Sequence, residues 1–265
     1  MTRPHWRLPK GVTRGEWEYF ESRSVADDYD DYFSYNELFD FDVPFIRSRI
    51  DTHPFGKGGV IADLGCGTGR ALVPLVEAGY RGLAIDLSAH MLSIVAEKAA
   101  ESDLPICRVQ ANLVELDGIR DGVVDHAISL FSTLGMIAGR KHRSEALQHV
   151  CRIMRVGGLF VLHVHNRLYN LYDPGGPKWF VGNWLRSTFV RDIERGDKYF
   201  DYRGVHKMFL HVFSRREIIR VLTSNGFGVR EIIPLEARRR RPIRYPWLCQ
   251  NLRANGWIIV AEKMP

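Results

Sequence analysis

The chain has 265 residues, 45% hydrophobic and 26% charged, which excludes a disordered, collagen-like or membrane-embedded protein and suffices for one large α/β domain with a buried core. Its formal charge of +6 suits an anionic partner, yet much of the excess sits in one run, Arg238, Arg239, Arg240 and Arg241 with Arg244, which reads either as a solvated loop or as a contact for nucleic acid or an acidic substrate. No apolar stretch reaches signal-peptide or membrane-spanning length, so a cytoplasmic location is expected, and Cys66, Cys107, Cys151 and Cys249 are too scattered for a disulfide framework or a metal site.

Residues 1–45 form a leader rich in aromatics (Trp6, Trp17, Tyr19, Phe20, Tyr29, Tyr32, Phe33, Tyr35). From Val60 onward, short Val-, Ile- and Leu-rich runs alternate with longer amphipathic stretches, the rhythm of a parallel sheet. Strands are predicted at 60–64, 82–86, 106–111, 123–130 and 159–165. Between them, Ser88 caps a helix running to about Ala100, and a second helix fits 144–154, stopped by Gly157 and Gly158. A second aromatic stretch, about 167–209, interrupts the rhythm; like the leader, it is either a lid or packing over a sheet edge. Ser214 and Glu217 make a capping box for a helix ending at Asn225-Gly226. Two last strands, 228–233 and 257–262, are joined by a link too short for a crossover helix, so they are expected to be antiparallel neighbours. That link, which holds the arginine run, need not reach a ligand pocket.

The most informative segment is Asp63-Leu64-Gly65-Cys66-Gly67-Thr68-Gly69-Arg70, a strand running into closely spaced glycines and then a helix. Such a turn needs positive φ and lets a ligand approach the backbone. The spacing is not G-x-G-x-x-G, and the lysine and hydroxyl residue of a P-loop are missing. About 20 residues on, the second strand ends in Asp86, where a carboxylate can accept from both hydroxyls of a ribose.

These residues resemble motif I and the following acidic position of class I S-adenosylmethionine-dependent methyltransferases, of the type 11/25-like domain, and the likeness extends over most of 45–265. The resemblance implies a Rossmann-like doubly wound α/β fold with a seven-stranded sheet, its last strand antiparallel, under an N-terminal cap (1–45) and an insertion after the fifth strand. It implies S-adenosylmethionine as cofactor, S-adenosylhomocysteine as product, and cofactor-binding roles for Asp63, Gly65, Cys66, Gly67, Gly69 and Arg70, then Asp86, Leu87 and Met91. Ala111, Asn112 and Leu113 would border the adenine, with Asn112 where the family commonly has Asp. Leu130 and Phe131 would border the transfer site. Tyr29 resembles a tyrosine that closes over the cofactor in many small-molecule members, and packing under the first helix is the alternative.

The acceptor is less legible, because methyl transfer needs alignment more than a base. No D/N/S-P-P-Y/F motif, Pro-Cys nucleophile or glutamate pair follows the fourth strand, which leaves a small molecule with an O, N or C nucleophile, or RNA. A small molecule is preferred and no membrane partner is expected; a non-catalytic binding protein of the same fold is the further alternative. His163 and His165 lie on one face of the fifth strand, and His165, at its carboxyl end, is the candidate base or substrate contact; no third ligand makes the pair a metal site.

Overall fold

In the computed structural model, which describes residues 7–34 and 38–265, the apolar runs lie side by side as a seven-stranded sheet. Trp6 and Tyr35 of the leader lie outside the described residues. The parallel strands are β1 (Val60–Leu64), β2 (Arg81–Asp86), β3 (Ile106–Gln110), β4 (His126–Ser129) and β5 (Leu159–His165). A hairpin, β6 (Asp197–Tyr202) and β7 (Val205–His211), stands apart. The last strands, β8 (Phe227–Leu235) and β9 (Gly256–Lys263), complete the order β3-β2-β1-β4-β5-β9-β8, with β9 antiparallel to both neighbours as expected.

This order places the site. It reverses between β1 and β4, so the carboxyl ends of those strands open a crevice. Because β9 runs against both β5 and β8, these two are parallel to each other, and His165 and Leu235 both stand opposite Gly256. The loop after β8 therefore emerges at the edge of the sheet where the glycine loop lies.

Helices cover both faces. The leader holds α1 (Arg14–Phe20), α2 (Arg23–Asp27), α3 (Tyr29–Phe33) and α4 (Leu38–Ile50); α5 (Leu72–Glu77) and α6 (Ala89–Glu101) follow. Leu38, Ile46, Leu72 and Val95 meet Ile61, Ile128 and Val161 on one face of the sheet. After the short α7 (Thr133–Met136), α8 (Arg140–Ile153) and the later α10 (Arg215–Thr223) bury Leu147, Val150, Ile218 and Leu222 against Phe160, Leu162 and Ile259 on the other face. The capping residues Ser88 and Ser214 stand where the sequence puts them, each accepting from the expected backbone N–H.

Two elements differ from the predicted bounds by more than two residues. The second predicted helix begins at Arg140 rather than Ser144, because Gly139 turns the chain at φ +88, and the Ser144 hydroxyl instead donates to Asn225 Oδ1 at 2.7 Å. The fourth strand is shorter than 123–130: Val124 makes only an isolated bridge to Met154 ahead of it, and beyond its end Phe131 and Ser132 take left-handed φ values of +53 and +68. Non-glycine residues held in that region gather at functional turns.

Both aromatic regions roof the crevice. The second contains a 3₁₀ turn (Leu168–Tyr172), α9 (Gly176–Phe189) and the hairpin. Tyr19, Val25 and Ala26 of the leader pack with Met91 of α6 and Met208 of β7. Polar ties reinforce this: Arg203 pairs with Asp28 and donates to the Val25 carbonyl at 3.2 Å, while Asp30 accepts from Thr68 Oγ1 at 2.6 Å and Lys98 Nζ at 2.5 Å. The division at residue 45 falls within α4, and the end of the insertion near residue 209 within β7. No helix among the described residues is long and apolar enough to cross a membrane.

The roof buries a carboxyl group, that of Glu16, inside its packing. Glu16 is fully buried; its Oε2 accepts from the Thr13 N–H at 2.7 Å and hydroxyl at 2.9 Å, and its Oε1 has no partner. Burial pushes its carboxyl up to about 8, against the pull of the Thr13 bonds. The folded chain thus holds a proton that the unfolded chain releases near the ordinary carboxylate range, so stability falls as pH rises from that range to about 8. Glu16→Gln should remove this slope: melting temperatures from about pH 5 to 8 should diverge in favour of the variant toward the alkaline end. Parallel curves would mean that Glu16 is charged in the fold.

Candidate functional site

The crevice is a cavity of about 760 Å³. Its floor begins at the glycine loop, where the three glycines answer different demands. Gly65 (φ +75) lies so close to Thr133 that a Cβ would stand 2.4 Å from that side chain. Gly67 (φ +54) faces open space bounded by the Tyr29 ring, 3.9 Å from where a Cβ would be. Gly69 lets the loop meet α6, its absent Cβ falling 3.1 Å from Val95.

Asp86 holds this loop in shape. Its Oδ2 accepts from the Gly67 N–H and its Oδ1 from the Ser88 N–H, both at 2.8 Å. Burial raises its pKa, while the Ser88, Gly67 and Leu87 N–H groups favour the carboxylate. Beside it, Leu87, Met91, Ala111, Asn112 and Leu113 form an apolar slot on the cavity wall. Asn112 is already engaged: its amide donates to the Lys10 carbonyl at 2.9 Å and its Oδ1 accepts from the Val114 N–H at 3.2 Å, so it ties the leader down. Tyr29, Leu130, Phe131 and His165 also line the cavity.

Four expected residues stand behind the wall rather than in it. Arg70 gives both terminal nitrogens to Asp42 of α4, at 3.0 and 2.7 Å, which fixes the leader to the loop. Asp63 is buried beneath the glycines, and burial pushes its carboxyl up to about 7, Arg70 opposing and Asp86 and Asp42 adding to the rise. Cys66 is buried, with its thiol raised well above the ordinary range by burial, and it donates to the Gly67 carbonyl. Gly69 serves the packing just described.

At the far end, His165 is held neutral: burial first, then the charge of Arg239, lowers its pKa to about 3, against a hydrogen bond with the Asn255 side chain. His163 stacks edge-on against it with ring centroids 5.1 Å apart, is fully buried, and has no hydrogen bond to either ring nitrogen. Asn166 is structural, its amide donating to the Asn251 and Ala254 carbonyls at 2.7 Å each. His126 is buried in β4, bonded to the Phe55 carbonyl and the Leu159 N–H.

The sequence leaves the two aromatic stretches open between a lid and sheet-edge packing and singles out only Tyr29 of them as a site residue; in the structure Lys10, Tyr19, Phe20, Phe33, Lys198, Phe200, Tyr202 and Phe209 all line the cavity. The arginine run reads from the sequence either as a solvated loop or as a ligand contact, in a link that need not reach the pocket; in the structure Arg238 and Arg239 form part of the wall. The available signal was topological: a strand parallel to β5 delivers its following loop to the ligand edge.

A polar cluster outside the cavity ties the hairpin down. His211 is fully buried, with Asp197 Oδ1 2.8 Å from Nδ1 and Glu217 Oε1 2.9 Å from Nε2, and Glu194 beside it pairs with Arg143 and Arg140. The neighbouring cations make this a charge-balanced anchor.

Comparison with known proteins agrees with this geometry. Residues 61–158 match a family profile described as a methyltransferase domain. YqeM of Bacillus subtilis, a methyltransferase by name, is 32% identical over 108 residues, 41% of this chain and 43% of that protein. The chain spans less than half the length of the curated relatives it matches. Among solved structures, a methyltransferase of Methanosarcina mazei superposes with a TM-score of 0.66 at 20% identity, covering 83% of this chain and 97% of that one. A Burkholderia thailandensis 1,6-didemethyltoxoflavin N1-methyltransferase, solved with its acceptor and S-adenosylhomocysteine, has a TM-score of 0.59 at 16% identity, covering 91% and 85%.

Proposed function

We propose that this chain, which carries a class I S-adenosylmethionine-dependent methyltransferase domain, transfers a methyl group to an O, N or C nucleophile of a small molecule enclosed under its leader and hairpin. The residues present fit the cofactor. The space at Gly67 that a side chain would fill suits close approach of the methionine portion, Asp86 retains acceptor capacity toward ribose hydroxyls, and Leu87, Met91 and Leu113 offer an apolar bed for adenine. Gly65 and Tyr29 would border the methionine end, with Asp63, Cys66, Gly69 and Arg70 supporting the loop from behind. When bound, S-adenosylmethionine supplies an electrophilic methyl group on a sulfonium.

The chain's own part is alignment and exclusion of water. Phe131, held at positive φ after β4, and Phe33, 5.1 Å from it, wall the middle of the cavity between the cofactor end and His165. His165, neutral at physiological pH, orients the acceptor by accepting a hydrogen bond from it. In this division of labour residues 1–45 act as a cap and 46–265 as the catalytic domain, with the insertion at 167–209 completing the roof.

The observation that carries the small-molecule reading is the roofed cavity, whose volume of about 760 Å³ lies within the roughly 300–1,000 Å³ of small-ligand sites. The arginine run does not form a row for a phosphate backbone: Arg240 and Arg241 each place Nε 3.0 Å from Glu236, while Arg238 and Arg239 turn to the cavity. Methyl-labelled cofactor incubated with the chain and fractionated cell extract should label small metabolites, and His165→Gln should lower that labelling while leaving S-adenosylhomocysteine affinity within about twofold. Label entering RNA instead would overturn the acceptor class, and a lack of heat on titrating S-adenosylhomocysteine would favour a non-catalytic role.

A further inference from the structure

We infer that the outer face of α9, together with the exposed loop ahead of β9, is a docking surface for an anionic membrane. The inference stands apart from the acceptor proposed above and needs no residue of the cavity wall.

α9 carries its apolar stripe on the side away from the core. Val181, Trp184, Leu185 and Phe189 recur at the three- and four-residue spacing that makes one helical face, and all four are exposed, Phe189 by 82%. The opposite side holds the helix down: Trp179 Nε1 donates to the Asp197 carbonyl at 3.3 Å, and the buried Asn183 amide donates to the Glu194 and Asp197 carbonyls at 3.0 and 3.1 Å. With Asn183 fixed inward, the stripe faces solvent. A second lobe stands nearby. The 3₁₀ turn packs against both α9 and α11 (Gln250–Arg253), and the Asn166 amide just ahead of that turn donates to the Asn251 carbonyl at 2.7 Å. The chain entering α11 exposes Tyr245, Trp247 and Leu248, with Trp247 at 78%, and Tyr172 of the turn is exposed as well. Large apolar side chains gathered this way in solvent mark an interaction surface.

Charge selects the occupant. No acidic residue lies between Asp173 and Asp192, whereas Lys178, Arg186 and Arg191 lie there and are all exposed. Between Glu236 and Glu262 the only charged residues are arginines, and Arg244 stands exposed with its guanidinium over the Tyr245 ring. Cations edging such a surface match the layers of an anionic bilayer: lipid phosphates take the Lys and Arg groups, the amphipathic Trp and Tyr rings sit at the headgroup boundary, and Phe189 and Leu185 reach the acyl chains. A second copy docked through the same face would instead bring like charges together. The sequence leads to no membrane partner because no apolar run is long enough to span a bilayer; a helix lying on its surface needs no such run.

The test is flotation of the full chain with vesicles of phosphatidylcholine, with and without phosphatidylglycerol. The chain should bind the phosphatidylglycerol vesicles at least about tenfold more tightly, and the preference should shrink as salt rises. Trp184→Ser with Phe189→Ser should lower that affinity at least about tenfold, and Trp247→Ser with Leu248→Ser should lower it by less. Lys178→Gln, Arg186→Gln and Arg191→Gln combined should remove most of the preference for the anionic vesicles. Melting temperature should stay close to that of the parent chain in all three variants, and S-adenosylhomocysteine affinity within about twofold, because these side chains are exposed and lie outside the cavity wall. No binding to the anionic vesicles, equal binding to both kinds, or undiminished binding after Trp184→Ser with Phe189→Ser would overturn the surface. Undiminished binding after Trp247→Ser with Leu248→Ser would overturn the part assigned to the second lobe. Self-association in place of vesicle binding, abolished by Trp184→Ser with Phe189→Ser in sedimentation, would overturn the membrane in favour of a second copy. A polyglutamate complex that forms in place of vesicle binding and is lost in the charge variant would overturn it in favour of an acidic protein.

Discussion

Asp86→Ala should weaken S-adenosylhomocysteine binding by at least two orders of magnitude, measured by calorimetry, and lower the melting temperature as well. Two losses combine. A carboxylate facing ribose hydroxyls contributes charge-assisted bonds worth about 1.5–3 kcal/mol each. The structure adds a second role, since the same side chain accepts from the Gly67 and Ser88 N–H groups at 2.8 Å each, and removing it leaves two donors without partners at the base of the loop. Leaving a buried donor unmet costs about 1–3 kcal/mol, so a stability loss of a few kcal/mol should accompany the binding loss. Asp86→Asn separates the two, because an amide oxygen can still accept from one N–H. It should recover much of the melting temperature and little of the affinity. Full affinity in the alanine variant would remove Asp86 from the cofactor site.

The elements legible in the sequence are those whose signals are local. The first and fifth strands stand at 60–64 and 159–165 as predicted, because short, mostly apolar runs buried on both faces fit the centre of a parallel sheet. The caps at Ser88 and Ser214 need only a hydroxyl and the N–H groups that follow it. The roof is different. The leader helices and the hairpin take their shape from packing on each other, Tyr19 and Val25 against Met208, and from long-range ties such as Asn112 to Lys10, which no periodicity announces. That the arginine link reaches the cavity was not legible, for a topological reason. The short β8–β9 link correctly implied antiparallel neighbours, and the insertion of β9 between β5 and β8 then brought that link to the ligand edge. Asp63 and Arg70 show a further limit: motif spacing identifies the loop, but whether a side chain faces the ligand or braces the loop from behind depends on partners such as Asp42, which lies far away in sequence.

Gly67 offers the sharpest separation of fold from binding. At φ +54 an L-residue costs about 1–2 kcal/mol, and a domain with about 5–15 kcal/mol of stability survives that. Among the described residues the new methyl would meet nothing nearer than the Tyr29 ring at 3.9 Å, so Gly67→Ala should fold. The space it enters is the one assigned to the methionine end of the cofactor. Gly67→Ala should therefore lose at least about tenfold in S-adenosylhomocysteine affinity, and Gly67→Val, bulkier and β-branched, should bind none detectably. Gly58→Ala is the control for strain alone. Gly58 also has positive φ, +87, with nothing within 4 Å of its missing Cβ, and it lies outside the cavity wall. Its variant should show a similar drop in melting temperature with unchanged affinity. If Gly67→Ala behaved as Gly58→Ala does, the glycine would serve only the turn, and the cofactor would have to lie elsewhere in the cavity.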